Sequence, residues 1–581
     1  MRSAAIIVLV AAGYFAVVAP TLTWTDFSSG SENLNVATAM EIRRTGRWLV
    51  PTLQDRPRIA KPPLAAWITA ALVPQSVLDA LSAGDSTGCA AAYRRLMWHA
   101  RWPAVVAACL TIVAAGALGW ACGGGRLGVL VAVICGGNYA FLRFMRWATT
   151  DVHLTLWTTA ANVFIALALL HRRRWAGWTG AGLAIALGFM SKGPVVLAQT
   201  AAPAAVFALW AWRLQRRGEA RSSASTQSQR PAQKMQFVPV LVACAIFLAL
   251  ALPWFTAVAA RFDAWQLWFR EVTRAGATDL PPDNPFSYLS IFPLMLPWTV
   301  FFAGGLWMAA AAMWQRSPAA QRELAGNPNP IADSPDGRGL VFAFVFLVVP
   351  VLIMSLFRDR NERYLLPMIA PASVLAARAL LDGAAQAASG NALARWGLAL
   401  HWAIVAGAAL ALPIAGATRL TGEPWLSPAA AGALAATGAA VVAAGIALSR
   451  GRPVAGVLCV TAIVMAMAQA VFLRGYANSD RGRSELRPLA ELIRARCPGA
   501  VLFNYTPGRR GPLELPIYLN RTMYVLENPA DLRPSTRPGV IVVAQHYRDG
   551  MPPVPADWRH LGQVQGRRHV WHAFCVPATG P

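Results

Sequence analysis

The charged side chains that could do chemistry gather in a few short segments, each beside a long apolar run. "SENLNVATAMEIRRTGRWLVPTLQDRPRIAKPPLAAW", residues 31–67, carries Glu32, Glu41, Asp55, Arg56, Arg58 and Lys61. "RFMRWATTDVHL" supplies Arg143, Arg146 and Asp151, and "MSKGP" supplies Lys192. "RFDAWQLWFREVTRAGATDLPPDNPFSY" brings Arg270, Glu271, Arg274 and Asp279, and "FRDRNERYLLP" brings Arg358, Arg360, Glu362, Arg363 and Tyr364. A few carboxylates among many cations match the needs of a negatively charged, phosphate-bearing substrate. Arg offers phosphate a bidentate pair of donors, and Lys offers a compact charge.

Simpler structural roles compete for several of these residues. Arg43, Arg44 and Arg47 fit contact with lipid headgroups from an amphipathic helix over 31–45 lying on the membrane surface. Arg143 and Arg146 fit snorkelling to the interface, Glu271 and Asp279 fit a solvated loop, and Asp55 with Arg56 fits an ion pair that holds its loop. Asp151 opens an apolar segment, where a carboxylate also caps free amides, so capping and function weigh equally. Lys192, in a tight turn between two apolar runs, has the least structural reason to be there.

The elements that position these groups are membrane helices. The chain has 581 residues, 56% hydrophobic and 14% charged, with a mean hydropathy of +0.43; soluble domains are about a quarter charged. The 23 Trp and 23 Phe fit interfacial aromatic belts. A net charge of +25 in this setting reads as orientation signal and contact with membrane lipids rather than nucleic-acid binding. Runs of about 20 apolar residues are needed to span a bilayer. They fall near 4–22, 102–121, 127–144, 152–170, 176–191, 194–212, 237–258, 287–313, 339–357, 364–381, 397–415, 427–448 and 453–474, about thirteen in all. The first reads as a retained helix rather than a cleaved signal peptide.

Basic connections at 171–175, 213–234, 315–338 and 449–452 belong on the cytoplasmic side. The charged segments above, and the C-terminal part, then face outward. The expected division is a membrane domain over 1–474, with a first outer loop at 23–101, and a second domain over 475–581. There "GAVLFNYT", "PIYLNRTMYVL" and "GVIVVAQHY" read as short strands following the helical "SELRPLAELIRARC", a small α/β unit. The eight cysteines show no CxxC pair and no zinc spacing, so no metal site is expected. Cys497 and Cys575 are the two in the polar C-terminal region; an exported domain would allow a disulfide, which spacing alone leaves open.

The order of these motifs resembles a family. "GRWLVPTLQDRPRIAKPPLAAW", Asp151 at a helix start, "MSKGP", "NPFSYLSIFPLMLPW" and "RDRNERYLLP" look like the GT-C glycosyltransferases that use lipid-phosphate sugars. Bacterial lipid A aminoarabinose transferases are the nearer members, and protein O-mannosyltransferases lie further off. The likeness runs from about residue 20 to 370 and departs at one place, where Ser31-Glu32 stands for the family's adjacent Asp-Glu.

The resemblance implies an all-α polytopic enzyme of the bacterial inner membrane with its C-terminal domain in the periplasm. It would move a sugar from a polyprenyl-phosphate donor, with inversion, to lipid A, another lipid, a glycan or a protein, without a cofactor or metal. Glu32 and Asp151 would then orient or deprotonate the acceptor. Arg58, Lys61, Lys192, Arg360 and Arg363, with Tyr364 as donor, would hold the leaving phosphate. The rivals are a transporter or lipid flippase, a non-catalytic scaffold, and a polymerase or ligase of lipid-linked oligosaccharide. Transport calls for polar groups at mid-membrane depth or paired broken helices, whereas these charges gather at one face.

Overall fold

The structure is a computed structural model that describes residues 2–27, 30–83, 86–222, 237–274, 284, 286–315, 335–357, 359–418, 424, 426–478, 484–505, 511–532, 538–546, 550–566 and 569–576. Of the segments noted above, Asp279, Arg358 and the side chains of Arg270, Glu271 and Arg274 lie outside the described residues.

Apolar segments in lipid must satisfy their own backbone, and this chain does so with helices. They are α1 (Arg2–Val18), α2 (Gly30–Thr45), α3 (Leu64–Leu72), α4 (Gln75–Ser82), α5 (Ser86–Gly136), α6 (Tyr139–Phe144) and α7 (Thr150–Leu169). Next come α8 (Arg174–Lys192), α9 (Val195–Gln199), α10 (Ala201–Ser222), α11 (Phe237–Ala259), α12 (Ala264–Arg274), α13 (Ile291–Leu294) and α14 (Thr299–Gln315). The last are α15 (Pro335–Ser355), α16 (Ile369–Ala388), α17 (Ala392–Ala417), α18 (Pro428–Gly451), α19 (Pro453–Asn478), α20 (Arg487–Arg496) and α21 (Glu514–Leu519).

Ten helices among the described residues are long and apolar enough to cross a membrane, or up to twelve if each of two bent pairs is one span. The chain is a multi-pass membrane protein. The expected count of about thirteen treats 102–121 and 127–144 as two spans. In the structure they are two helical arms that fold back on each other at Gly123–Gly124, Gly116 lying against Gly128, with Gly124 at φ 85° and ψ −179°. That backbone region is open essentially to glycine alone, so the turn needs no loop residues.

A polar cap covers one end of the bundle. Its C-terminal part is a five-stranded sheet in the order β4-β3-β5-β7-β6, built from β3 (Val501–Tyr505), β4 (Met523–Val525), β5 (Gly539–His546), β6 (Arg559–Gln565) and β7 (His569–Val576). β3 pairs in parallel with β4 and β5, and β7 runs antiparallel to β5 and β6. The sheet shares its core with the first cap segment. Val36 and Met40 of α2, Leu78 of α4 and Leu96 of α5 join Leu489, Ile493, Leu515 and Val540 in one cluster.

This shared core corrects the reading of α2 as a helix on the membrane surface: residues 32, 33 and 35–42 are buried. Its apolar stripe finds a partner in sequence more than 440 residues away, which local amphipathicity cannot reveal. Its arginines turn to protein, Arg43 to Gln75 Oε1 (3.1 Å) and Arg44 to Asn520 Oδ1 (3.0 Å), and burial pulls Arg44 down to about 10. Asp55 and Arg56 do not pair with each other either. Asp55 accepts from Arg47 (3.1 Å), and Arg56 reaches Glu527 (2.6 Å) across to the C-terminal part. The turn between β1 (Thr52–Leu53) and β2 (Arg56–Pro57) holds Gln54 and Asp55 both at φ 57°.

Cys497 ends α20 and Cys575 lies on β7, with the two Sγ atoms 3.5 Å apart as free thiols. Burial and the neighbouring thiol push Cys497 up to about 11, so it is protonated near neutrality. In an oxidising compartment the pair is expected to close. Over a separation of 78 residues this would add about 4–5 kcal/mol in the loop-entropy account. Thiol alkylation with mass analysis of protein recovered without reductant checks this; alkylation of both Cys497 and Cys575 in every molecule would contradict it.

On the opposite sheet face, His572 Nδ1 lies 3.3 Å from His560 Nε2, and His572 Nε2 lies 2.8 Å from Gln545 Oε1. Burial, and then the His560 imidazole, hold His572 below the ordinary imidazole value. The unfolded chain therefore takes up this proton first as pH falls. The pair's contribution is complete above about pH 6.5 and is lost as pH drops towards the native value of His572. Hydrogen exchange of β6 and β7 amides should accelerate over that window, and His572→Gln should flatten the response.

Candidate active site

The densest group of charges sits where α7 begins and α8 ends. Thr149 is the N-cap of α7 with extended backbone, which places Asp151 in the first turn, 5% exposed in its side chain. Asp151 Oδ1 accepts a hydrogen bond from Lys192 Nζ at the last residue of α8, and Oδ2 lies 3.6 Å from Arg363 Nε. Arg363 Nε is buried and makes no hydrogen bond among the described residues, so its approach to Asp151 is a charge attraction, and the guanidinium lies 5.9 Å from the Tyr364 ring. Gly193 follows Lys192 at φ 85° and ends α8 in a sharp turn, with Pro62 packed against it.

Tyr364 covers the group. Its ring lies 4.0 Å from Lys192 Nζ, and its hydroxyl donates to Asp359 Oδ2 at 2.8 Å. The turn that carries Arg363 and Tyr364 is fixed by Asn361, whose side chain caps the 3-10 segment Glu362–Met368, and by Glu362, which pairs with Arg143 at 2.7 Å. Arg360 folds back on the same turn to Ser355 O (2.8 Å). Lys61 is exposed at the rim and adds positive charge that Lys192 feels.

The structure thus brings together Asp151, Lys192, Arg363 and Tyr364, with Lys61 and Arg360 at the edge. Arg58 donates to Leu34 O (2.8 Å) and Thr38 Oγ1 (2.5 Å) and ties the segment after β2 to α2.

Glu32 is placed differently from expectation. It is 1% exposed, and both carboxylate oxygens take a bidentate pair of hydrogen bonds from Arg101, each 2.8 Å long. Oε1 also accepts from Ala148 N at 3.0 Å. Arg101 spends its remaining donors on the carbonyls of Leu22 and Thr25 (2.6 Å each) and Asp26 (3.0 Å). In this structure Glu32 is thus a buried clamp on Arg101 rather than an exposed carboxylate. Arg146 is buried too and donates to Thr21 O at 2.5 Å, a packed role rather than snorkelling.

Comparison with known proteins bears on this arrangement. Residues 90–221 match the family described as dolichyl-phosphate-mannose-protein mannosyltransferase, less than a quarter of the chain. The undecaprenyl phosphate-alpha-4-amino-4-deoxy-L-arabinose arabinosyl transferase 2 of Pseudomonas fluorescens is 25% identical over 59% of this chain and 54% of its own length. The corresponding transferase of Pectobacterium carotovorum is 27% identical over 67% of this chain and 60% of its own. The chain thus matches little more than half the length of these relatives. ArnT from Cupriavidus metallidurans, in a crystal structure bound to undecaprenyl phosphate, superposes over 99% of both chains with a TM-score of 0.67 at 17% identity. The chain has a GT-C fold.

In this GT-C chain, Arg101 and the indoles that tie down the loop between α2 and α3 were not among the residues singled out from the sequence. Trp67, Trp254 and Trp268 donate to Trp48 O (2.7 Å), Leu49 O (2.9 Å) and Ile59 O (2.8 Å). Arg101 had a signal, a lone cation at the border of an apolar run. The tryptophans had none, because belt and anchor roles use the same residue type.

The clamp generates a prediction. Removing one partner leaves the other charged and buried, which costs about 3–5 kcal/mol. Arg101→Met and Glu32→Gln are each expected to lower the unfolding midpoint in detergent by a comparable amount. A Glu32→Gln protein with wild-type stability and no activity would instead restore Glu32 to the chemistry.

Proposed function

We propose that this chain is an inverting glycosyltransferase of the bacterial inner membrane with its cap in the periplasm. It transfers a sugar from a polyprenyl-phosphate donor to a phosphate-bearing lipid acceptor. The observation that carries this reading is the Asp151–Lys192–Arg363 group under Tyr364, two cations held side by side by one buried carboxylate. The names of the relatives and the undecaprenyl phosphate in the ArnT crystal structure support a donor of this class.

An acceptor oxygen attacks the anomeric carbon from the face opposite the lipid phosphate. The bond from that carbon to the phosphate oxygen breaks, and its electron pair stays on the phosphate. Lys192 and Arg363 bind the leaving phosphate more tightly as its charge grows, and Asp151 keeps the two cations together against their mutual repulsion. Lys61 and Arg360 complete the phosphate site from the rim, while Arg58 and Glu32 hold the walls.

The choice of a phosphate acceptor follows from the two candidate carboxylates. Asp151 faces two cations and Glu32 is buried on Arg101, so in this reading both carboxylates serve to hold cations. Ser31 stands where the resembling family has its leading Asp. A phosphate monoester, with a second pKa of about 6, is already a dianion near neutrality and needs no base.

Mass spectrometry of envelope lipids from a deletion strain and its complemented parent tests the reading. Loss of one sugar mass from a phosphorylated lipid, with accumulation of the polyprenyl-phosphate sugar, is expected; unchanged lipids under expression of the protein would overturn it. In vitro, Lys192→Ala and Arg363→Ala should each lower kcat about 100-fold or more. Dephosphorylating the acceptor should abolish transfer, and equal transfer to the dephosphorylated lipid would remove the phosphate-acceptor claim.

A further inference from the structure

A cavity of about 430 Å³ adjoins the Glu32–Arg101 clamp through Asp26. It opens where α1 and α19 leave the apolar layer and α20 begins, and its lining includes Trp24, Asp26, Tyr93, Arg94, Ser484 and Arg487. Part of this wall is rigid. Tyr93 stacks on Tyr518 at 4.4 Å between centroids and accepts a hydrogen bond from Phe27 N (3.2 Å). Asp26 Oδ2 accepts from Ser484 N (3.1 Å), and Arg101 holds the Asp26 carbonyl. Arg474, near the end of α19, sits over the Trp24 ring at 5.8 Å.

The charges here differ in kind from those of the phosphate site. Among the described residues, two guanidinium groups and one carboxylate line a headgroup-sized space with an indole and a phenol, and Arg487 keeps its terminal nitrogens for a ligand while its Nε pairs with Glu491 at 3.3 Å. A purely anionic ligand would confront Asp26, and a purely cationic one would confront Arg94 and Arg487. A ligand carrying both signs satisfies all three. Its phosphate matches the arginine forks, and a primary ammonium can donate hydrogen bonds to Asp26, which a quaternary one cannot.

We infer that this cavity is a binding site for the phosphoethanolamine-type headgroup of a membrane phospholipid, with phosphate on Arg94 and Arg487 and ammonium on Asp26. The site lies at the mouth of three spans, where such lipids are the most abundant source of that chemistry. The inference rests on membrane placement and not on the transfer reaction, so either can fail alone.

The test uses the full chain in a neutral detergent and native mass spectrometry with phosphatidylethanolamine, phosphatidylcholine and phosphatidylglycerol of matched chains. Phosphatidylethanolamine is expected to be retained about tenfold better than the other two, the worth of one charge-assisted hydrogen bond. Arg94→Ala with Arg487→Ala should remove that retention, and Asp26→Asn should leave phosphatidylethanolamine and phosphatidylglycerol equal. Unfolding midpoints in lipid-free detergent separate lost binding from lost fold. Equal retention by wild type and the double arginine variant at equal stability would overturn the site. Retention of phosphatidylcholine equal to that of phosphatidylethanolamine would overturn the ammonium assignment. Displacement by soluble phosphoethanolamine at the lipid's own concentration would overturn a membrane source.

Discussion

The ion pair between Glu32 and Arg101 is the constraint on which the rest of the structure depends. Taking both charges out of water costs several kcal/mol for each, and their attraction offsets this only where the geometry is good and the spare donors are satisfied. Here the pair is bidentate, and the remaining guanidinium donors meet three carbonyls at the exit of α1. The carboxylate also takes Ala148 N, three residues before Asp151. One buried pair thereby fixes the first span, the start of α2, the outer arm of α5 and the approach to α7 relative to one another. Asp151 inherits its position from that junction.

A second set of long-range bonds gives the outer loop comparable definition. Glu41, itself buried, accepts from Thr52 Oγ1 (2.9 Å) and from the amides of Gln54 (2.9 Å) and Asp55 (2.8 Å). Those two residues sit in left-handed backbone that L side chains rarely adopt, and the carboxylate repays the strain with hydrogen bonds. Indoles from α3, α11 and α12 hold the same loop by its carbonyls, on both sides of the small hairpin. The segment carrying Lys61 and Pro62 is thus anchored before it meets Gly193. A rim built this way needs no strong secondary structure of its own, because its backbone polar groups are satisfied by distant side chains.

Much of this architecture was legible in the sequence, for a physical reason: a bilayer demands long apolar runs, and their lengths and flanking charges can be counted. Asp151, Lys192, Arg363 and Tyr364 were legible as well, since charges bordering such runs are costly and stand out. The roles within the cap were not. Glu32 and Arg101 are 69 residues apart and Asn33 and Glu514 are 481 apart, so no local pattern links them. The amphipathic stripe of α2 fits a membrane surface as well as a protein core. Deciding between those two requires the C-terminal sheet, whose core begins at Leu486.

The same pairings bear on what a carboxylate does in a site of this kind. A general base needs an open lone pair directed at its proton, whereas an organiser needs both oxygens occupied. Asp151 has one oxygen on Lys192 and the other facing Arg363, with Tyr364 above the ammonium. Two cations so close together would repel each other in an empty site, and the shared carboxylate removes that repulsion before any ligand arrives. In the proposed reaction a phosphate entering beside Tyr364 meets cations already aligned, and their reorganisation is not added to the barrier. On the proposed reading, Asp151 serves the leaving group by holding its cations, and the ionisation of the nucleophile comes from the acceptor itself.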